Sequence, residues 1–129
     1  MMEQFPQPLA RGHTQPRCPL TDFVNLIAGK WAIPILYKLI ARERPVRFSD
    51  LQRDAAPITQ KELTKHLRQF ERQGLVKRTV YPDMPPRVEY EITSLGKTLK
   101  SPFDGLAVWM LTHGETVRTS TADANWEPK

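Results

Sequence analysis

Cysteine is the scarcest chemistry in this sequence, with one, Cys18, among 129 residues. A lone thiol cannot close an intramolecular disulfide, so any redox role needs a second chain or a small thiol. Histidine is nearly as sparse. His13, His66 and His113 stand far apart, with no metal-ligand spacing and no nucleophile–base pairing. No glycine-rich phosphate loop or dinucleotide fingerprint occurs. These absences argue against an enzyme, a metal and an organic cofactor. Long hydrophobic runs are missing as well, so no stretch is a membrane-span candidate. The first residues, "MMEQFPQPLARGHTQPR", lack the pattern of a secretory signal, which makes a cytoplasmic location the expectation. Acid is short of base, 14 Asp and Glu against 19 Lys and Arg. That balance favours a polyanionic partner.

The length suits one domain. Residues 1–17, rich in Pro and Gln, read as a mobile arm, 18–114 as the folded domain and 115–129 as a flexible tail. "LTDFVNLIA" spaces its apolar residues as a short amphipathic helix that Gly29 breaks, and "KWAIPILYKLIA" makes a second, more apolar one. Pro34, early in that helix, predicts a slight kink. A brief extended piece at Val46–Phe48 leads to a third helix, "DLQRDA", with Ser49 and Gln52 as its capping box. The fourth helix has fuller start signals. Thr59 can cap, Glu62 completes a capping box, Ile58 and Leu63 occupy the hydrophobic-staple positions, and Gly74 is placed to end the helix. "LVKRTVY" and "RVEYEIT" then read as a hairpin around "PDMPP". A last helix from about Ser94 carries Leu95, Leu99, Phe103, Leu106, Trp109 and Met110 on one side, with Pro102 as a kink. This order predicts an α+β, mainly α fold: a winged helix-turn-helix domain with added N- and C-terminal dimerisation helices.

The fourth helix poses the functional question. At about 100° per residue, Leu63, Leu67 and Phe70 share one narrow arc, and Lys61, Lys65, Arg68 and Arg72 share the opposite one. Ordinary solvated faces mix both signs, whereas this strip is single-signed and repels itself unless a polyanion arrives. A DNA major groove admits one α-helix whose N-terminal residues reach base edges. Thr59, Gln60, Lys61, Thr64 and Lys65 have the chemistry for that end. Arg68 and Arg72 are left between phosphate contact and plain solvation. Arg87, beside Pro85 and Pro86 at the expected wing tip, is placed either in a minor groove or as an exposed loop arginine. Double-stranded DNA is the expected partner. A protein- or RNA-binding winged helix is the rival, and neutralising Lys61 and Lys65 separates the two.

The stretches "CPL", "LIAGKW", "ILYKL", "RFSDLQR", "ITQKELTKHLRQFERQGLVKR", "YPDMPPRVEYEIT" and "LGKTLKSPFDGLAVW" together resemble the HxlR-type transcriptional regulators, a bacterial and archaeal winged-helix group akin to MarR regulators. The resemblance runs from Cys18 to about His113. It implies a homodimer joined through the N- and C-terminal helices, with two recognition helices reading an inverted repeat. The surplus apolar stripe from Leu95 to Met110 agrees, since a copy of itself would bury it. Some relatives of this type sense oxidants, quinones or aldehydes through a cysteine at the position of Cys18. The proximity of Arg17 and a helix start favours its thiolate. The other reading of Cys18 is a small hydrophobe at the dimer interface. A second effector route is a cleft between the core and the dimer helices, lined by Trp31, Phe103 and Trp109, that takes a small aromatic molecule.

Overall fold

The computed structural model describes residues 18–123, with side chains through residue 120. The sequence-predicted arm 1–17, including Arg17, lies outside the described residues. In chain order the elements are α1 (Pro19–Leu26), α2 (Ala32–Arg42), β1 (Val46–Arg47), α3 (Phe48–Asp54), α4 (Gln60–Arg72), β2 (Val76–Tyr81), β3 (Arg87–Ile92), α5 (Ser94–Lys97) and α6 (Lys100–Asp123).

The core is built from one stripe of each element. α2 buries Ala32, Ile35, Leu36, Leu39 and Ile40, and α4 buries Leu63, Leu67 and Phe70. Leu51 of α3, Val46, Val76, Tyr90 and Ile92 of the sheet, and Phe103 of α6 complete it, with no polar or charged residue buried among the described residues. The three strands are antiparallel in the order β1-β3-β2, with Val46 opposite Tyr90 and Val76 opposite Ile92. The α3–turn–α4 pair and the β2–β3 hairpin together make a winged helix-turn-helix, α+β and mainly α. None of its described helices is long and apolar enough to cross a membrane.

Both prolines expected to kink helices stand in first turns. α2 starts after Trp31, and its first bond runs from Ile35 N to Trp31 O at 3.1 Å, so the N–H that Pro34 lacks had no helical partner to lose. Pro102 has the same place in α6, where Phe103 N donates to Leu99 O at 3.0 Å. Both helices therefore run unbroken. The third helix starts earlier than its sequence suggests. Arg47 is its N-cap, so Ser49 lies inside the first turn and caps nothing.

The stretch after the wing is two helices rather than one. Thr93 caps α5 by accepting from Gly96 N at 3.0 Å, and its hydroxyl lies 2.7 Å from Gly74 O and 3.0 Å from Leu75 O. This ties the end of the hairpin to the end of α4. The junction leaves no space for a side chain at Gly96, where a Cβ would meet Leu75 O at 2.4 Å. α6 then continues through residues 115–123, where the sequence had suggested a tail. Of its apolar row, Phe103 is buried and Leu99 packs on the core, while Leu95, Leu106, Trp109 and Met110 are exposed in the protomer.

Candidate nucleic-acid interface

Local chemistry fixes where α4 begins and ends. Thr59 Oγ1 accepts from Glu62 N at 3.1 Å, while Thr59 N donates to Glu62 Oε1 at 3.2 Å, closing the capping box. Ile58 and Leu63, the staple pair, are both buried. At the far end Gly74 takes φ +77°, Gly74 N donates to Glu71 O at 3.1 Å, and Leu75 N donates to Phe70 O at 2.9 Å. Those bonds are a Schellman ending, with Leu75 and Phe70 buried as its apolar contact.

With Leu63, Leu67 and Phe70 turned into the core, the opposite side of α4 stands in water. Gln60, Lys61, Lys65, Arg68 and Arg72 are exposed and Thr64 is half-buried. Among the described residues no carboxylate forms an ion pair with Lys61, Lys65 or Arg68. Arg72 is partly engaged, donating to Gln69 Oε1 at 2.8 Å. Thr59 is on the same edge, but its hydroxyl is committed to starting the helix.

The hairpin beside it stands differently from expectation. Its loop is Pro82 to Pro86, and Met84, 93% exposed, occupies the tip. Arg87 is not at the tip. It opens β3 opposite Tyr81, its guanidinium 4.2 Å from the Tyr81 ring centre and 3.5 Å from both Asp83 and Glu89. An arginine held by a ring and two carboxylates braces the wing rather than projecting from it. Nearby, Lys77 is exposed and stands opposite Glu91 in the strand register, and Arg78 is half-buried.

An unpaired basic strip on a capped helix, preceded by a short helix and followed by a wing, is the arrangement that comparison with known proteins resolves. The model of the HxlR-like helix-turn-helix family matches residues 26–118. The chain belongs to that family. It is 43% identical, over 91 residues, to an HTH-type transcriptional regulator of Halalkalibacterium halodurans, covering 70% of this chain and 80% of the relative. Among solved structures it resembles the redox regulator HypR in its reduced form, with a TM-score of 0.72 and 32% identity over 79% of this chain and 99% of HypR. A MarR-family regulator from Porphyromonas gingivalis superposes with a TM-score of 0.68 and 32% identity over 76% of this chain and 94% of that one. The protein is thus an HxlR-like transcriptional regulator with a DNA-binding helix-turn-helix fold, and the family's role is not an enzymatic one.

In this HxlR-like chain Cys18 is exposed and forms the N-cap of α1. The backbone N–H of Thr21, followed by that of Leu20, lowers the thiol pKa by favouring the thiolate. The three aromatic residues expected to share an effector cleft stand in different surroundings within the single chain. Phe103 is buried in the core, edge-on to Phe23 and Tyr37 at 6.3 and 6.2 Å. Trp109 lies exposed on α6 against His113, 5.0 Å away. Trp31 borders a cleft shared with α4. The turn at Gly29 sets Trp31 beside α4. Sequence reasoning missed the α4 residues of this cleft, Glu62, His66 and Gln69. Their signal was present, since at helical spacing they line the flank between the apolar and basic faces.

Proposed function

We propose that this regulator binds double-stranded DNA as a homodimer, one α4 per subunit entering the major groove at each half of an inverted repeat. The observation that carries this reading is the row of Lys61, Lys65 and Arg68, exposed and without carboxylate partners among the described residues, opposite a fully buried apolar face. Gln60, Lys61, Thr64 and Lys65 supply base contacts near the helix start, and Arg68 supplies phosphate contact. Thr59 contributes by fixing the helix start, and Arg87 by holding the wing in shape. The dimer is supported by apolar side chains left in water on two helices, Leu20 and Val24 on α1 and Leu106, Trp109, Met110 and Leu111 on α6. An isologous pairing of those faces sets the two α4 helices on one side, for half-sites about 34 Å apart.

Fluorescence anisotropy with a duplex from the protein's own upstream region, titrated across salt, tests the reading. Lys61→Ala and Lys65→Ala are each expected to weaken binding and to make the log–log salt slope shallower by about 1. Duplex affinity that neither substitution changes would reject α4 as the reading helix.

The exposed, thiolate-favoured Cys18 supports redox control of that binding, and HypR, a structural neighbour, is a redox regulator. With one thiol per chain, two Cys18 thiolates of a dimer lose two electrons to an oxidant and join, or one forms a mixed disulfide with a small thiol. Either product alters the α1 contact and so the separation of the two α4 helices. Diamide treatment is expected to change duplex affinity about tenfold, or about 1.4 kcal/mol. Dithiothreitol should reverse it, and Cys18→Ser should abolish it. Equal affinity of both forms would leave Cys18 a packing residue.

A further inference from the structure

The flank of α4 between its apolar and basic faces borders a cleft of about 450 Å³ with the α1–α2 turn, and of its lining only Lys65 belongs to the DNA reading. A cleft of that size lies within the roughly 300–1,000 Å³ of small-molecule sites. Part of its wall is aromatic. The His66 ring stacks on Phe70 with centroids 6.1 Å apart and planes at 26°, and Trp31 borders the same space. The turn comes close because Gly29, at φ +104°, has no side chain; a Cβ there would stand 3.0 Å from His66 Cε1.

The polar lining decides the class of ligand. Lys30 and Lys65 both border the cleft, and neither forms an ion pair with a carboxylate among the described residues. The Lys30 ammonium rests over the Trp31 ring, 5.2 Å from its centre. The one carboxylate in the lining, Glu62, accepts from the Thr59 N–H at 3.2 Å and the Thr59 hydroxyl at 3.3 Å and forms no ion pair with either lysine. Two unmatched ammonium groups beside flat apolar walls suit a molecule that is flat at one end and anionic at the other. Lys65 stands at the border of two surfaces, the cleft and the basic strip.

We propose that this cleft binds a small planar aromatic carboxylate, its ring against Trp31 and the His66–Phe70 wall and its carboxylate on Lys30 and Lys65, and that occupancy withdraws Lys65 from DNA. The binding stands on the cleft alone; the consequence rests on the DNA reading above. Full-length protein is titrated with 1-naphthoate while backbone amide shifts are followed, with the neutral 1-naphthalenemethanol as control. The expected result is saturable shifts at Gly29, Lys30, Lys65 and His66. Affinity should fall about tenfold, or about 1.4 kcal/mol, for the neutral alcohol and again for Lys30→Gln. Saturating naphthoate should weaken duplex binding by the wild type, and do so less for Lys30→Gln, whose own duplex affinity stays unchanged. Absence of saturable shifts, equal affinity for acid and alcohol, or shifts confined to α6 would overturn the site. If the duplex binds and naphthoate does not, the cleft fails and the DNA reading stands. Naphthoate bound at the cleft by a protein that binds no duplex would sink the DNA reading and leave the site intact.

Discussion

Thr59 and Ser49 look alike in the sequence, each followed three residues later by a side chain able to complete a capping box, and the protein uses only one. Thr59 satisfies Glu62 N and receives the Glu62 carboxylate in return, so loss of its hydroxyl leaves an orphan donor at the start of the helix proposed to read DNA. Ser49 sits within the first turn of a helix capped by the backbone of Arg47, with no side-chain cap bond to lose. Thr59→Ala is expected to cost about 1 kcal/mol in urea unfolding with an unchanged m-value. Ser49→Ala should stay within about 0.5 kcal/mol. The reverse ranking would mean that α3, and not α4, is the helix its cap holds. The same distinction explains Arg87. Its type and its neighbouring prolines suggested a reaching side chain, but Asp83, Glu89 and Tyr81 all lie within its span, and only register shows that.

At the level of elements, α4 was the most legible part of the chain, because its signals are local. Its cap, staple, apolar arc and terminal glycine each act within a few residues, and all agree with the fold. The third helix and the C-terminal region were less legible because distant contacts decide them. Val46–Arg47 is drawn into the sheet by Tyr90 and Glu89, and this sets where α3 can begin. The break between α5 and α6 depends on Thr93 reaching Gly74 and Leu75, a contact no period reveals. One consequence on α4 is pH-dependent. Burial, with help from Lys65 and against Glu62, lowers the His66 pKa below its ordinary value. A folded state that resists protonating this ring is at full stability above the unfolded imidazole pKa of about 6.5 and loses stability as pH falls through it. Wild-type stability should therefore decline from about pH 7.5 to about 5.5 more steeply than that of His66→Gln, by chemical denaturation at each pH. Parallel declines would show that the ring titrates as freely as in the unfolded chain.

For the molecule as a whole, the protomer accounts for the head of α6 and not for the rest. Phe103 and Leu99 anchor it to the core, and Tyr37 donates to Asp104 Oδ1 at 2.9 Å while Lys100 donates to Asp104 Oδ2 at 2.6 Å. Beyond Asp104, Leu106, Trp109, Met110 and Leu111 lie in water, Leu111 being 87% exposed. Leaving such side chains in water forgoes about 1.5–3 kcal/mol for each large one, which the second copy of the proposed dimer would recover by covering them. Leu106→Glu places a charge in that surface while disturbing nothing inside the protomer, where Leu106 is exposed. The variant is expected to keep its far-ultraviolet circular dichroism and to sediment as a monomer. Each monomer then meets one half-site without the effective concentration that its tethered partner supplied. Affinity for the full inverted repeat should fall by about 100-fold or more, and affinity for an isolated half-site should hardly change. A Leu106→Glu protein that still sediments as a dimer would move the subunit contact to another face. A monomer that binds the full site as tightly as the wild type would remove the reason for a dimer in DNA binding.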